Sequence, residues 1–515
     1  MDGRDIRVEV EKTSDKNIIE LGKEVLEHSS RWRDFVRDNK LTVPYEDLSD
    51  EYKLLAIRAL FPKDASSPDE WVHVVTFADA AQGRETLWQI ATWFTGRGTT
   101  CGAIKQHNDL RADTIYHGQK IKIARSLLLP PFVESASPVS EDGELVFKRD
   151  SKGEYAAYKL KKGESVHGNV VPHFTDMVDE KDVLWASRQI IKRSGIRDPE
   201  KIPAGAEVKI PTDLLSTKYR PPSDPNRASY EAFEAETEKY QPEQKAKGLA
   251  GVAVILDAGH GGEDPGTIGK LDTHEDDYVY DIMCRVKRLL EQKTQACVYV
   301  TIVDQSTKYS VLDVTEFDMD KDEFLLTTPQ YSNANPGISA NLRWYLANSI
   351  YRRLLREGFD KEKIVFSSFH ADSLYSSLRG LMVYVPSAHH CDGKNSNNGL
   401  EYARYKEVQE KPTVRSSLTQ RRRSEMVSRS FASQLIMGFH RKSLRVHNEP
   451  PVRGYVVRDR RIYVPAILRH NEIPVKVLVE VVNLNNLTDC KLLRSPEFRE
   501  RVAEAYVETL QKFYE

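Results

Sequence analysis

The strongest pattern in the chain is an unbroken apolar run, Val252-Ala253-Val254-Ile255-Leu256, flanked by Gly251 and followed by DAGHGGEDPG. A short run of this kind predicts a strand buried on both faces, as in parallel sheets. From Glu275 onward, Val279, Ile282, Met283, Val286, Leu289 and Leu290 recur at helical spacing. The alternation then continues to the end of the chain. VYVTIV (298–303), KIVFSSF (363–369), GLMVYV (380–385) and VKVLVEVV (475–482) predict strands, and 339–358, 423–439 and 496–514 predict helices. Strands alternating with helices predict an α/β domain over 248–515: an open, mostly parallel sheet with helices on both faces.

Upstream the period changes. WVHVVTF, GRETLWQIATWFTGRG, TTCGAIKQHNDL and DTIYHGQKIKIA predict a small βααβ module over 71–130. A divergent second copy is expected over 150–212, in YAAYKLKKGESV, ASRQIIKRSGI and KIPAGAEVKIP. Both copies end in Gly-x-x-x-Lys-Ile, which makes an internal repeat. Residues 1–70 predict a helical segment, with Leu21, Val25, Trp32, Phe35 and Val36 on one face. Residues 213–247, rich in Pro, Ser, Glu and Lys, have the composition of a linker.

Composition narrows the class. Apolar content of 40% against 30% charged residues allows a sizeable core. A net charge of -2 leaves no basic surplus to neutralise phosphates, so nucleic acid is not an expected partner. No apolar run approaches the ~20 residues of a membrane helix. MDGRDIRVEVEK lacks the apolar core of a secretory signal. The five cysteines include no C-x-x-C pair and read as free thiols.

The candidate chemistry sits at strand ends. His260 follows the first strand among glycines 259, 261, 262 and 266, which let the backbone pass close to whatever His260 holds. His370 leaves the KIVFSSF strand directly, in FHADS, and Glu275 opens the helix after the glycine turn. Two imidazoles and one carboxylate suit Zn²⁺ with a fourth position open to water. Glu480 lies inside an otherwise apolar strand, where a carboxylate without a partner is costly, and it is the candidate acid/base group. Singly, each has a bland reading: a core histidine, or a helix-start charge favoured by the dipole. The four together, each in its own string, favour the metal site.

Two family resemblances emerge from these strings. ETLWQIA, IKQHNDL and IYHGQKIKI resemble the LysM domain, although the usual Gly-Asp-Thr-Leu opening is here Gly83-Arg84-Glu85-Thr86-Leu87. That family binds N-acetylglucosamine-containing glycans, which implies that residues 71–212 anchor the chain on peptidoglycan strands.

Residues 250–515 resemble the zinc-dependent N-acetylmuramoyl-L-alanine amidases of the type-3 family. The carrying strings are DAGHGGEDPG, with Ala258 for proline, THEDDYVYD at Glu275, NLRWYLAN with Arg343 and Asn348, and SFHADS, with Asp372 for asparagine. RGLMVYV from Arg379 and LVEVVNLNN at Glu480 complete them, with Val482-Asn483 for the usual Gly-Phe. The resemblance implies one zinc per chain on His260, Glu275 and His370, Glu480 as the catalytic residue, and substrate contacts from Arg343, Asp372, Arg379 and Asn483. The implied reaction is hydrolysis of the amide joining the muramic acid lactyl group to L-alanine of the stem peptide. The implied location is the cell envelope, periplasm or cell wall, reached by an export signal that this sequence does not show.

Two rivals remain. A zinc carboxypeptidase on murein peptides needs a group gripping a terminal carboxylate, and none is assignable. A non-catalytic cell-wall binding or scaffold protein would have lost a ligand or Glu480. Segment 386–421 is longer than the ~4–6 residues usual between elements and is expected near the metal mouth. Related amidases use insertions near this point as a lid whose acidic residue blocks the zinc until an activator protein displaces it. Glu401, Glu407 and Glu410 are then the candidate regulatory residues; the alternative is a groove wall for the glycan.

Overall fold

The computed structural model describes residues 64–66, 69–75, 86–129, 140, 143–150, 152–242, 245–397, 399–448 and 450–515. The helices expected within 1–63 lie outside the described residues. The chain divides into two compact units, one ending at Tyr158 and one running from Lys159 to Glu515. No helix among the described residues is long and apolar enough to cross a membrane.

In the first unit, strand β1 (Glu70–Val74) pairs antiparallel with β2 (Lys120–Ala124), with helices α1 (Leu87–Thr95) and α2 (Cys101–His107) between them. Alternation in KIKIA turns Ile121 and Ile123 inward against Trp71, Ile90, Phe94 and Ile104. This is the βααβ module expected for 71–130. Strands β3 (Val146–Asp150) and β4 (Gly153–Lys159) come next as an antiparallel hairpin.

The second unit opens with α3 (Glu180–Ser194), capped by Asp179 and ended by left-handed Gly195, and β5 (Glu207–Pro211). This opening segment is tied to residues far along the chain. Tyr455 Oη donates to Asp176 Oδ2 (2.7 Å), Arg460 N–H to Asp182 Oδ1 (3.0 Å), and Tyr375 N–H to the Val178 carbonyl (2.8 Å). Most of the expected second module is therefore built into the C-terminal unit.

The expected linker is also part of that unit. Residues 225–239 form helix α4 (Pro225–Lys239), started by the Asp224 cap and proline at its first position. It packs on helix Leu418–Arg441, where Arg429 meets Glu234 at 3.2 Å and lies over the Phe233 ring. The scarcity of aliphatic residues reflects a helix docked by charge and one aromatic ring rather than by an apolar stripe.

The main sheet uses β6 (Ala253–Ala258), β7 (Cys297–Val300), β8 (Ile364–Asp372), β9 (Met382–Tyr384), β10 (Val452–Arg453) and β11 (Val475–Asn483). Their order is β10-β9-β11-β8-β6-β7, and every pairing is parallel except β9 with β11. All six residues of β6 are buried, as the apolar run predicts. The covering helices are α5 (Glu275–Lys293), α6 (Pro336–Arg356), α7 (Leu418–Arg441) and α8 (Pro496–Tyr514).

Strand alternation assigns the faces. Ser367 bonds Tyr506 of α8 (2.6 Å), and Phe369 packs on the same ring. Ser368 points the other way, to Asp257 and through it to Arg343 of α6. Helices thus cover both faces. Helix α5 is fixed on α8 by Asp281, whose Oδ2 accepts from Arg285 (2.7 Å) and Arg499 (2.6 Å) in a buried network.

Candidate metal centre

The register of the sheet assembles the site. Ser368 lies opposite Asp257 and Phe369 opposite Ala258, so His370 arrives level with the turn that leaves β6. On its other side β8 pairs with β11, and His370 lies directly opposite Glu480. Neighbouring residues of paired strands project to one face, so the imidazole and the carboxylate share it.

Two glycines make the approach feasible. A Cβ on Gly259 would stand 2.2 Å from His370 Cε1. One on Gly266 would stand 2.7 Å from both Glu275 Oε2 and His260 Cδ2. His260 itself adopts a left-handed backbone (φ 64°), which turns its ring back over the strand end. Its ring centroid lies 5.2 Å from that of His370, with the planes at 81°.

Glu275 is the first residue of α5, where a carboxylate is favoured by the helix dipole. Its Oε2 accepts from Thr267 N–H (2.9 Å) and lies 3.4 Å from His260 Nε2. Its Oε1 accepts from Ala371 N–H (3.0 Å) and lies 3.0 Å from His370 Nδ1. One ligand atom from each of the three residues falls within 4.8 Å of the others. Burial would lower the His260 pKa, but the Glu275 and Asp264 carboxylates raise it to about 10. Burial works against the charged form of Glu275 as well, and His260 and His370 nevertheless hold it well below the usual range. The pocket is organised around positive charge.

Glu480 completes the arrangement. Burial first, then Asp372 and Glu275, push its carboxyl well above the ordinary range. Among the described residues its buried Oε2 has no hydrogen-bond partner. Asp372 is pushed up to about 6 by burial and by Glu275, and accepts a long hydrogen bond from Tyr384 Oη (3.5 Å). An orphaned carboxyl oxygen beside two imidazoles and a carboxylate fits a divalent ion, and a donor set without thiolate suits an open rather than a closed site.

Two functional aspartates escaped sequence reasoning. Asp264 Oδ2 lies 2.9 Å from His260 Nδ1, fixing the ring so that Nε2 faces Glu275. Asp257 is buried and accepts from Ser368 Oγ (2.6 Å), Arg343 Nη1 (2.8 Å) and Thr301. Both stand in the string around His260, three before and four after it, and that spacing was the available signal.

Other expectations are corrected. Arg343 is 4% exposed; besides Asp257 it donates to the carbonyls of Ala258 and His260, so it braces the strand end instead of facing substrate. Asn483 is 1% exposed; its amide donates to the Tyr375 and Leu378 carbonyls and accepts from Leu374 N–H, which holds the loop after Asp372. Arg379 is anchored by Asp489 (2.9 Å) ahead of β9. Asp372 shares the buried pocket of Glu480, and Asn483 lies opposite Asp372 in the sheet.

The segment 386–421 is anchored along α6. It forms a hairpin (Lys394–Ser396 with Thr413–Arg415) and a short helix (Lys406–Glu410). Tyr345 Oη of α6 donates to the Pro412 carbonyl (2.7 Å) and Asn341 to Tyr402 (3.0 Å). Glu407 is buried and accepts from Thr328 N–H (3.1 Å), Glu410 accepts from Ser349 Oγ (2.7 Å), and Glu401 is exposed on a turn. Among the described residues none of the three is bonded to the triad, because the fixed hairpin commits them to α6 and its neighbouring loop.

Comparison with known proteins bears on this geometry. A LysM domain model matches residues 83–124. The N-acetylmuramoyl-L-alanine amidase AmiC of Escherichia coli O6:H1 is 34% identical over 106 residues, 19% of this chain and 25% of that protein. An uncharacterized cell wall amidase of Bacillus anthracis is 27% identical over 277 residues, 53% of this chain and 38% of its own length. The chain thus spans well under half the length of either relative. The solved amidase Ami1 of Mycobacterium smegmatis is 18% identical, with a TM-score of 0.32, over 52% of this chain and 98% of that one. The model of the family described as N-acetylmuramoyl-L-alanine amidase matches residues 254–512, half of the chain, and with its motif residues gathered at one sheet end the protein belongs to that family.

Proposed function

We propose that the chain hydrolyses the amide between the muramic acid lactyl group and L-alanine of the peptidoglycan stem peptide, with one zinc held by His260, Glu275 and His370. The observation that carries this reading is the buried carboxyl of Glu480, one oxygen unpartnered, in register with His370. When bound, zinc polarises the scissile carbonyl and lowers the pKa of a water toward ~7. Glu480 takes the proton of the attacking water and returns it to the leaving amine, which cannot depart as an anion. Asp264 keeps His260 Nε2 turned to the site, and Arg343 holds the carbonyls on either side of the Gly259 turn.

Mass spectrometry of digested peptidoglycan tests the reaction. Free stem peptides beginning with L-alanine, with peptide-free glycan, are expected. Stem peptides shortened from their C-terminal end would instead assign a carboxypeptidase.

Asp264→Asn is expected to weaken zinc retention ~10–100-fold while leaving the fold intact, since only the orientation of one ligand is loosened. Competition with a chromophoric chelator measures it; unchanged retention would show that the ring is fixed without Asp264.

The LysM domain in the first unit supports binding to glycan strands, and hence work at the cell envelope. Trp88 and Tyr116 expose large apolar surface there, 56% and 67%. The full chain is expected to sediment with sacculi, and residues 130–515, which lack the LysM match, to cleave soluble fragments but sediment poorly. Equal sedimentation of the two would remove the anchoring role.

A further inference from the structure

Two strands away from Glu480, on the same face of the sheet, lies a charge that the hydrolysis does not use. Arg453 of β10 stands directly opposite Tyr384 of β9, and Tyr384 opposite Leu478 of β11. Paired residues project to one face, and so do residues two apart along a strand. Arg453, Tyr384 and Leu478 therefore share the face of Glu480 and His370, on which Tyr384 Oη donates to Asp372 Oδ2 at 3.5 Å.

Arg453 is 5% exposed, and its Nε and Nη2 are both buried with no hydrogen-bond partner among the described residues. The other arginines buried among those residues each rest on a carboxylate: Arg227 on Glu231, Arg285 and Arg499 on Asp281, and Arg343 on Asp257. Arg453 departs from that rule, with no ion pair among the described residues. A guanidinium withdrawn from water without a counterion is costly, and a bound anion removes that cost. Nε and Nη2 form one edge of the planar group, the edge that grips a carboxylate through two parallel N–H bonds. Water fills the hydrogen bonds of such an edge but supplies no opposing charge.

We propose that Arg453 binds the free carboxylate of the stem-peptide residue that follows L-alanine, and so selects the acid over its amide. The inference rests on the amide-hydrolysis reading. The muramic acid carboxyl is consumed in the amide that is cleaved, so the free carboxylates lie on the peptide side. Where the second residue is a γ-linked glutamate, its α-carboxylate is the nearest of them. Strands β10 and β11 stand two spacings apart, roughly 10 Å. Extended peptide advances ~3.3–3.6 Å per residue. A peptide running from the amide beside Glu480 toward β10 thus brings this carboxylate within reach of an arginine side chain.

Isothermal titration of the zinc-loaded full chain with L-Ala-γ-D-Glu-L-Lys and with its α-amide, L-Ala-γ-D-isoGln-L-Lys, tests the assignment. The wild type is expected to bind the acid about 10–100-fold more tightly than the amide. Arg453→Met, close in length but uncharged, is expected to bind the two alike and to keep its zinc and its Tm. Arg453→Lys, which keeps the charge but not the fork, should recover only part of the preference. In turnover of the matching muropeptides, the acid-to-amide ratio of kcat/KM should fall toward one in Arg453→Met. No binding of the acid, equal binding of both peptides by the wild type, or a preference that survives in Arg453→Met overturns the proposal. A fall in Tm of Arg453→Met with the preference unchanged would make the arginine a brace and overturn it too. Binding is read apart from turnover: a wild type that prefers the acid yet cleaves neither muropeptide would reject the hydrolysis and keep the carboxylate site.

Discussion

Glu480→Gln should retain zinc and fold while losing ~10²–10⁴ in hydrolysis rate, the usual contribution of one acid/base group. The substitution keeps shape and removes only the ability to carry a proton between water and amine. It also removes a carboxyl crowded by Asp372 and Glu275, so stability should hold or rise. Turnover of a soluble muropeptide, zinc content and Tm are measured on the same preparation. Near wild-type turnover with normal zinc would assign the proton transfer elsewhere, with Asp372 the first candidate, since it shares the same buried pocket.

His370→Ala should lose both zinc and hydrolysis. The triad supplies three ligands, and with one gone, only Glu275 and His260 remain to hold an ion against water. The ring also fills the space that Gly259 leaves open, so its removal admits solvent between β6 and β8. Glu275 keeps its backbone donors, Thr267 and Ala371, so the helix start should persist and the protein remain folded. Metal analysis after gel filtration decides the matter: equal zinc in variant and wild type would sink the ligand assignment. Full zinc loss in His370→Ala and full retention in Glu480→Gln would together separate holding the ion from moving the proton.

How much of this was legible in the sequence differs by type of residue. The strand end at Ala258, the helix start at Glu275 and the buried strand around Glu480 follow from apolar periodicity, and their chemistry from carboxylates and imidazoles set against it. What periodicity does not carry is the direction in which a polar side chain turns. Arg343 sits in a motif string yet spends its guanidinium on Asp257 and two carbonyls, and Asn483 likewise braces a loop. In sequence, a buried brace and a substrate contact are both polar residues beside a strand end. The same limit hid α4: a stretch poor in aliphatics reads as linker when its docking rests on Arg429, Glu234 and one phenylalanine ring. The length of the 386–421 connection likewise says nothing of where its tyrosine, asparagine and carboxylate partners lie, which is along α6 and its neighbouring loop.

The bonds from Asp176, Val178 and Asp182 to Tyr455, Tyr375 and Arg460 redraw the piece that can be excised, inherited or exchanged as a working whole. A chain begun at 248 would leave the Tyr455 hydroxyl and the Tyr375 amide without their acceptors, and would strip α4 from Arg429. The loop that loses its tether is the one leaving Asp372, so the damage would reach the pocket itself. Exchange of the LysM module for another, in evolution or on the bench, has its natural joint between the LysM match ending at 124 and the strand that begins at Val146.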